Sequence, residues 1–375
     1  MKAPNRIAML LTSATLMASA AAHAGTDPLS DGLGLLYKNV KCVDEPFCPS
    51  AANNAAMIKN AVLFKQKLTD LIGNDQAPLV TWHKAKGLAR EFEFNSAYQR
   101  PGNHPANVVH GIMYLPAEYD SCDALKYPAT LVLHELTDNI DSVKQIGKYT
   151  ALLNRGVAMV IYLPHFGPRR GDENFISKDL ETFETNVLQT MADIHQSYLV
   201  LKSLTGVQQN NIGVMGLSLG GMMTLISAGV DPIYDRYATN VGAGDLANIV
   251  TYRKSGDVDS QTGLLLKNID WTVDQARFYL SRFDAITWSL FVKNKTIVMI
   301  NANSDELINR SLGLDPLIEG YRLAGSDVKQ YFHKGTHVFK AKETGFFTSL
   351  RKVFLPMLKF VSIGDSPRDV CEAQF

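Results

Sequence analysis

One short stretch of the sequence has the residue types of a covalent catalyst. In NIGVMGLSLGGMMTLIS, residues 211–227, Ser218 stands between Gly216 and Gly220, directly after an apolar run. A serine in a G-x-S-x-G turn between a strand and a helix can project its hydroxyl as a nucleophile, and the glycines let the two backbones approach closely. The same pattern also arises by chance, so this interpretation requires a base and an acid further along the chain.

The base that a serine nucleophile needs is predicted after the last strand of the sheet. The segment YFHKGTHVF supplies two histidines there. His337 follows the turn at Gly335 and falls on a loop, so it is the predicted general base. His333 ends the apolar run and is the alternative, although its position also fits the strand itself.

The acid that orients this imidazole is predicted just after the apolar run KTIVMINA. The following segment NSDEL offers Asp305 and Glu306. Asp305 is preferred because a short side chain on a tight loop is the usual fixed partner of a catalytic histidine, whereas Glu306 can turn to solvent. The chain order serine, acid, histidine and the role of each residue then match a catalytic triad.

The elements that must position these residues alternate between strands and helices. Continuous apolar runs at 129–135 and 157–164 are typical of strands covered on both faces, and the segments 88–96 and 108–118 predict two antiparallel strands before them. This alternation indicates the α/β class, with a mostly parallel central sheet and helices on both faces. Further strands are predicted at 211–216, 237–244, 295–302 and 328–333, and helices at 51–73, 143–156, 180–205, 219–229, 317–325 and 346–361.

One connection is longer than a simple crossover requires. On the order of 50 residues separate the strand 237–244 from the strand 295–302, more than a helix and its loops need. The insert, at about 245–294, is rich in aromatic residues and contains Trp271 and Trp288. We interpret it as a helical cap near the ligand site; the alternative is a surface decoration whose aromatic residues only anchor it to the core.

The domain division predicted from these patterns has three parts. Residues 1–24 form a secretory signal peptide, with a positive start, a short apolar core and cleavage after Ala24. A membrane anchor is the alternative, but the apolar run is short for a bilayer. Residues 25–89 form an N-terminal extension, and residues 90–375 form the catalytic domain with its insert. We therefore expect a protein exported to the periplasm or beyond, with no stable membrane insertion after cleavage.

The four cysteines lie after the predicted cleavage site. An exported chain can form disulfides, and Cys42 and Cys48 are close enough in sequence to close a small loop. Cys122 would then pair with Cys371, although three pairings are formally possible. A zinc site is the rival interpretation, but the spacings fit no familiar ligand pattern, so neither a metal nor an organic cofactor is expected.

The charge balance disfavours a nucleic-acid partner. Lysine and arginine together number 37, equal to the 37 aspartate and glutamate residues, and the pI is about 7.1. No basic block stands out, and the chain has no glycine-rich phosphate loop with a lysine. We expect instead a small-molecule ester as substrate.

Two backbone N–H groups must stabilise the oxyanion that forms when serine attacks a carbonyl. Leu219, directly after the serine, is the predicted first donor. The second is expected on the loop after residues 129–135, from Leu136 or from Glu135. His134 is expected to hydrogen-bond within this loop and to hold its backbone.

The motifs resemble those of the α/β-hydrolase superfamily over about residues 108–362. Within this region LVLHELTDN, residues 131–139, is similar to the dienelactone hydrolase-like branch, in which an H-E or Q-E pair stands where many esterases have H-G and the glutamate lies close to the nucleophile. The resemblance implies that Glu135 belongs to the active site and that Leu136 is the oxyanion donor. The stretch 284–308 is similar to the approach to the acid in esterase and peptidase members. Dienelactone hydrolases use a cysteine nucleophile, so Ser218 departs from their lactone chemistry.

A further polar loop, YLPHFGPRRGDENF at 162–175, follows a predicted strand at the same sheet edge. His165, Arg169 and Arg170 are candidates for a pocket that attracts an acidic substrate group. The alternative is an exposed loop in which Arg169 or Arg170 pairs with a nearby acid, Asp172 or Glu173. The other histidines, His83, His104, His110 and His195, are isolated in sequence and receive no chemical role.

Together these patterns predict an exported serine hydrolase that cleaves carboxylic esters through a Ser-His-Asp triad and an acyl-enzyme. A peptidase or amidase on the same fold is the first alternative. A binding protein on a hydrolase scaffold is the second, and it would be favoured if a triad position were missing. All three positions are present in the sequence.

Overall fold

The computed structural model describes residues 27–73, 75–117, 119, 126–138, 140–153, 156–177, 179–251, 271–305, 308 and 310–333. Several predictions fall outside these ranges: the signal peptide 1–24, the pairing of Cys122 with Cys371, the residues Glu306 and His337, and the final helix 346–361.

The described strands form one sheet of nine in the order β1-β2-β3-β5-β4-β6-β7-β8-β9. In this order, the pairs from β1 to β5 are antiparallel, and the remaining pairs, which join β5, β4, β6, β7, β8 and β9, are parallel. The strands are β1 Thr81–Lys86, β2 Ala89–Asn95, β3 Val108–Tyr114, β4 Tyr127–Leu133, β5 Val157–Ile161, β6 Val207–Leu217, β7 Arg236–Asn240, β8 Thr296–Ala302 and β9 Asp327–His333.

Helices cover this sheet on both sides. None of those in the described ranges has the length and apolar character needed to cross a membrane. The α-helices are α1 Pro28–Leu36, α2 Ala51–Ile72, α3 Asp141–Leu152, α4 Leu180–Ser203, α5 Leu219–Val230, α6 Leu246–Thr251, α7 Val273–Leu280, α8 Ala285–Ser289 and α9 Asp315–Leu323.

The central strands are apolar because both of their faces are buried. In β4, Leu131 and Leu133 belong to the larger core, which the residues of α2, α4 and α5 complete. The intervening Val132 points to the opposite face and joins a second core with residues of α3. Successive side chains of a strand alternate between faces, so a strand between two helical layers needs apolar residues throughout. The predicted class, an α/β fold with helices on both faces of a mostly parallel sheet, is confirmed.

Most predicted elements are found at their expected places. The two early strands are β2 and β3, and they are antiparallel neighbours as predicted. The helix predicted at 143–156 ends earlier, at Leu152. Strand β1, with the sequence TWHKAK, was not predicted, because an exposed edge strand of mixed polarity lacks the apolar run that marks a buried strand.

The N-terminal segment packs against the body of the protein. Helix α2 is followed by Gly73, whose positive φ of 27° suits a glycine, and its Phe64 contacts the rings of Phe283 and Trp288 in the insert. The predicted disulfide between Cys42 and Cys48 is present. The division into an extension, residues 25–89, and a catalytic domain stays a prediction; the structure adds that the first segment supplies α1, α2 and β1.

The insert is helical where it is described, at 245–251 and 271–294. Aromatic contacts anchor α7 and α8 to the N-terminal segment: the ring of Phe278 lies 5.8 Å from that of Phe47, and the fully buried ring of Trp288 lies 6.4 Å from that of Phe64. These contacts account for the aromatic composition of the insert. Its role as a cap over a ligand site stays a prediction.

Candidate active site

Ser218 occupies a strained turn between a strand and a helix. Strand β6 ends at Leu217 and α5 begins at Leu219, so the serine alone makes the turn. Its φ of 49° and ψ of −111° lie in a region that side-chain-bearing residues rarely adopt. Such strain costs about 1–3 kcal/mol and is concentrated at functional sites. The half-buried serine therefore has the backbone geometry of a projecting nucleophile.

Backbone hydrogen bonds fix this turn from both neighbouring strands. The Ser218 N–H donates to the Asn240 carbonyl at the end of β7, at 2.9 Å. The Gly220 N–H donates to the His134 carbonyl just after β4, at 3.0 Å. Strand β6 lies between β4 and β7, so both flanks of the serine are held.

The glycines around the serine are required by close backbone contacts. A Cβ atom on Gly216 would lie 2.1 Å from the carbonyl carbon of Gly220, and one on Gly220 would lie 2.5 Å from the Leu133 oxygen. Gly221, which the motif does not include, is equally crowded, since its Cβ would lie 2.2 Å from the Thr239 hydroxyl. The motif thus reflects the packing of α5 against the strands.

The predicted oxyanion donors lie at the starts of two adjacent segments. Leu219 is the first residue of α5, and the N–H groups of a helix's first turn have no acceptor within the helix. Leu136 follows β4 and is half-buried. Across the described residues, neither of these two N–H groups donates to a protein acceptor. Their role as oxyanion donors stays a prediction.

His134 is a neutral, buried histidine that braces the loop after β4. Its Nδ1 lies 2.6 Å from the Glu135 carbonyl oxygen, and its Nε2 accepts from the Leu163 N–H at 3.0 Å. Nδ1 therefore carries the proton and donates it to the carbonyl. Burial lowers the pKa of His134 to about 4, so the ring keeps this pattern at neutral pH. These contacts hold the loop, as expected for a positioning role.

Glu135 directs its carboxylate to the first turn of α3. The Ser142 hydroxyl donates to Oε1 at 2.7 Å, while Oε2 is buried without a hydrogen-bond partner among the described residues. Its backbone carbonyl accepts from Thr137 at 2.8 Å and from His134. The side chain is therefore fixed beside the oxyanion loop.

Asp305 lies in the turn that follows β8. One carboxylate oxygen accepts from the Ile308 N–H at 2.9 Å, which fixes the half-buried side chain on the loop. It borders a cavity of about 290 Å³ whose wall also includes Asn301 and Phe332. Because β6, β7 and β8 run parallel, their carboxyl ends meet at one edge of the sheet. Ser218 and Asp305 therefore follow strands separated by a single strand, β7.

The end of β9 lies beside the acid-bearing turn. The carbonyl of His333, its last residue, accepts from the Asn303 N–H at 2.9 Å. His333 itself is a buried strand residue, 3% exposed. The chain leaves the described part of the structure here, so the predicted base His337, four positions further on, stays a prediction.

Arg169 does not line an open pocket. Its guanidinium is fully buried, 2.8 Å from the Asp193 carboxylate on α4, and it also donates to the Tyr162 carbonyl at 2.8 Å. The expectation that it attracts a substrate acid does not fit this position, and neither does the alternative of a pair with Asp172 or Glu173. The partner Asp193 is far along the chain, so sequence gave no signal for it.

The neighbouring loop residues also find partners outside their own loop. Arg170 is exposed and pairs with Asp138. His165 is buried at a positive φ of 68°, and its Nε2 lies 2.9 Å from the Asn186 side-chain oxygen. Burial, together with the positive charge of Arg100, lowers the pKa of His165 to about 4. This loop is fixed by internal contacts with α4.

One group in this region has the composition of a metal site. His104, His165 and Glu173 offer ligand atoms within 4.8 Å of one another. The Asn186 amide donates to two backbone carbonyls, so its oxygen must accept the Nε2 proton of His165. The Arg100 guanidinium lies 3.0 Å from the Glu173 carboxylate. A protonated ligand atom and an adjacent fixed cation both disfavour a metal ion here.

The fold is similar to that of solved esterase structures. An acetyl xylan esterase from Paenibacillus sp. R4 has a TM-score of 0.56 at 16% identity, covering 79% of this chain and 93% of its own. Acetyl xylan esterase 1 from Thermoanaerobacterium sp. JW/SL YS485 has a TM-score of 0.56 at 13% identity, with 80% and 93% covered.

An S-formylglutathione hydrolase from Agrobacterium tumefaciens has a TM-score of 0.50 at 14% identity, covering 76% of this chain and 99% of its own. At these identities the likeness concerns the fold alone. No protein-family model and no curated protein matches the chain.

The buried pair of Arg169 provides a test with an adjacent control. Arg169→Met should lower the free energy of unfolding by about 3–5 kcal/mol, because it leaves the Asp193 carboxylate buried without a counter-charge. Arg170→Met removes an exposed pair and should cost less than about 1 kcal/mol. Urea unfolding of both variants measures the difference. Equal losses would contradict the structural role assigned to Arg169.

The buried state of His134 predicts a pH dependence of stability. Its folded pKa, about 4, lies below the value of about 6.5 in an unfolded chain. The contribution of His134 to the free energy of unfolding is therefore complete above pH 6.5. It is lost as the pH falls towards 4, by about 3 kcal/mol in total. The wild type should therefore lose more of its free energy of unfolding than His134→Gln as the pH falls from 7 to 4.5. Urea unfolding across this pH range measures the difference.

His83→Gln is the matched control, since the side chain of His83 is 46% exposed. This variant should follow the wild-type pH profile. If His134→Gln also followed the wild-type profile, a neutral, buried His134 would be ruled out.

Proposed function

We propose that this chain, which has the α/β-hydrolase fold, is a serine hydrolase that cleaves carboxylic esters of small molecules. The observation that carries the proposal is the strained Ser218 turn, with a φ of 49°, held between β6 and α5. Glycines that cannot accept a side chain surround it. Strain at a serine is unfavourable, so its presence at the carboxyl edge of a parallel sheet supports a catalytic role for this residue.

In the proposed reaction, Ser218 Oγ attacks the ester carbonyl carbon while His337 takes the hydroxyl proton. Asp305 orients the imidazole and stabilises its charged form. The tetrahedral intermediate collapses, the bond to the alcohol oxygen breaks, and the alcohol leaves with the proton from His337. Water, deprotonated by the same histidine, then attacks the acyl-enzyme and releases the carboxylic acid and free Ser218.

A tetrahedral intermediate forms in each half of the reaction, first when Ser218 attacks and then when water attacks. Its oxyanion is proposed to lie between the N–H groups of Leu219 and Leu136. The first stands at the positive end of the α5 dipole, which favours negative charge. The bond from the Gly220 N–H to the His134 carbonyl sets α5 against the loop that carries Leu136. Each such donor commonly contributes about 3 kcal/mol of transition-state stabilisation.

Residues around this loop are proposed to act as supports. His134 braces the oxyanion loop through its two ring nitrogens. Glu135 bonds to Ser142 and holds the same loop against α3. His165, Arg169 and Arg170 are left out of the machinery, because the structure engages all three in contacts with α4 or with Asp138.

Export is part of the proposal. The predicted signal peptide 1–24 is supported by the disulfide Cys42–Cys48, since structural disulfides are typical of oxidising compartments. On export the intact mass of the mature protein should correspond to a chain that begins at Gly25. A full-length mass in the exported fraction would contradict this.

The nucleophile is tested by comparing two serines that lie close together. Ser218→Ala should lower kcat for p-nitrophenyl acetate by at least about 10⁴-fold, because it removes the hydroxyl on which the proposed acyl-enzyme forms. A fluorophosphonate probe should label wild type on the peptide that contains Ser218. Ser227→Ala, which alters a buried serine on the same α5 helix, is the control and should keep both activity and labelling.

The same assay distinguishes the base and acid from their alternatives. His337→Gln and Asp305→Asn should each lose about 10³-fold or more of kcat, whereas His333→Gln and Glu306→Gln should keep most of it. The reverse pattern would move the base or acid to the alternative residue. Activity that survives Ser218→Ala would end the proposal.

The substrate class is tested with a panel of esters and aminoacyl amides. Acetyl esters head the panel because two structural neighbours are named acetyl xylan esterases. Faster turnover of the amides would favour a peptidase. A protein that neither takes the fluorophosphonate label nor hydrolyses any ester would instead be a binding protein on this scaffold.

A further inference from the structure

The loop after β7, residues 241–245, is held in a strained conformation. Val241 and Asp245 both have positive φ, 49° and 61°, which non-glycine residues adopt only where their surroundings impose it. The preceding Asn240 carbonyl accepts the Ser218 N–H, and the Val241 N–H donates to Ile300 on β8 at 2.8 Å. The loop thus lies between the strand that precedes Ser218 and the strand that precedes Asp305.

Side chains of the insert hold this loop in place. The Asp284 carboxylate accepts from the N–H groups of Asp245 at 3.0 Å and Leu246 at 2.6 Å. The Arg277 guanidinium, on α7, lies 3.8 Å from the Asp245 carboxylate. The buried charge cluster consists of Arg277, Asp245, Asp284 and Asp274. All four are at least nine-tenths buried, so their charges depend on one another.

Asp274 connects this cluster to the N-terminal segment. It is fully buried, and its Oδ1 accepts from Arg277 at 2.8 Å. Its Oδ2 accepts from the backbone N–H groups of Val43 at 2.9 Å and Asp44 at 3.2 Å. One carboxylate therefore bonds to the insert and to residues distant from it in sequence.

The two N–H groups belong to a loop that the Cys42–Cys48 disulfide closes. The loop also packs on α7, since the ring of Phe47 lies 5.8 Å from that of Phe278 and 5.7 Å from that of Tyr279. The Thr272 hydroxyl donates to the Asp44 side chain at 3.1 Å. The disulfide-closed loop is therefore docked on α7 of the insert.

We propose that Asp274 and Arg277 are positioning residues for the ester hydrolysis proposed above: docked against the disulfide-closed loop, they hold residues 241–245 in the strained geometry that aligns the serine and acid strands. The inference rests on the proposed function for its catalytic part. The coupling from residues 42–48 through Asp274 and Arg277 to Asp245 is a property of the structure and is tested separately.

The charges explain why the coupling should be strong. Arg277 is the cation that contacts both Asp274 and Asp245. Burial, and then the charge of Asp245, raise the pKa of Asp284 to about 6. Displacing Arg277 would leave buried carboxylates without a counter-charge, so the cluster should loosen as a unit.

The experiment compares the wild type with Asp274→Asn and with the double variant Cys42→Ser, Cys48→Ser. The first replaces the carboxylate that bonds to Arg277 and to the disulfide-closed loop with an amide, which has one acceptor oxygen instead of two. The second opens the loop and leaves the side chains of the cluster unchanged. Hydrogen exchange of peptides spanning 241–251 should become at least about 10-fold faster in both. With p-nitrophenyl acetate, kcat should fall about 10-fold while KM stays within about 2-fold. Glu319→Gln, an exposed change on α9, is the control and should alter neither readout.

Each outcome decides a distinct point. Unchanged exchange at 241–251 in a folded variant would overturn the coupling. Faster exchange with unchanged kcat would overturn the positioning role. If Asp274→Asn does not fold, the cysteine variant decides both. If the wild type hydrolyses no ester, the proposed function fails, and exchange alone decides whether the disulfide-closed loop controls residues 241–245.

Discussion

The arrangement of the site depends on one constraint, the positive φ of Ser218. That conformation is unfavourable for a residue with a side chain, and it persists because hydrogen bonds reach the turn from both sides. The Asn240 carbonyl at the end of β7 holds the serine, and the His134 carbonyl after β4 holds the start of α5. The glycines follow from this arrangement, since the backbones it brings together leave no space for a Cβ atom.

The parallel sheet extends this local constraint to the other chemical groups. Parallel strands deliver their carboxyl ends to one edge, and the polar residues gather there. Ser218 follows β6 and Asp305 follows β8, with only β7 between them. The bond from Asn303 to His333 brings the end of β9 beside the acid-bearing turn.

Buried charges elsewhere in the protein serve the scaffold. Arg169 and Asp193 lie opposite each other with no exposed surface, and Arg277 is enclosed by carboxylates of the insert. A charge removed from water must be paired, so these residues tie together segments that are distant in the chain. The Arg169–Asp193 pair joins α4 to the loop after β5, and Arg277 joins α7 to Asp245 in the loop after β7. Both contacts fix loops that leave the carboxyl edge of the sheet.

The sequence by itself determined the α/β class, most of the elements, the turn at Ser218 and the Cys42–Cys48 disulfide. These depend on local patterns: apolar runs that mark strands buried on both faces, glycine spacing around a turn, and two cysteines separated by a short loop. It also predicted that Asp305 follows a strand, as it does after β8, because the order of strands and loops runs along the chain.

Only the tertiary structure decided which polar residues are occupied by structural contacts. Arg169, which the sequence left between a pocket role and a pair within an exposed loop, is paired with Asp193 on a helix that begins later in the chain. Strand β1 was not predicted because its exposed side chains form no apolar pattern. Its place in the sheet depends on hydrogen bonds to β2, which the sequence does not reveal. The strain at Val241 and Asp245 is likewise set by partners in the insert. Contacts between residues that are distant in the chain follow no regular spacing in the sequence. Such contacts therefore cannot be predicted from sequence patterns.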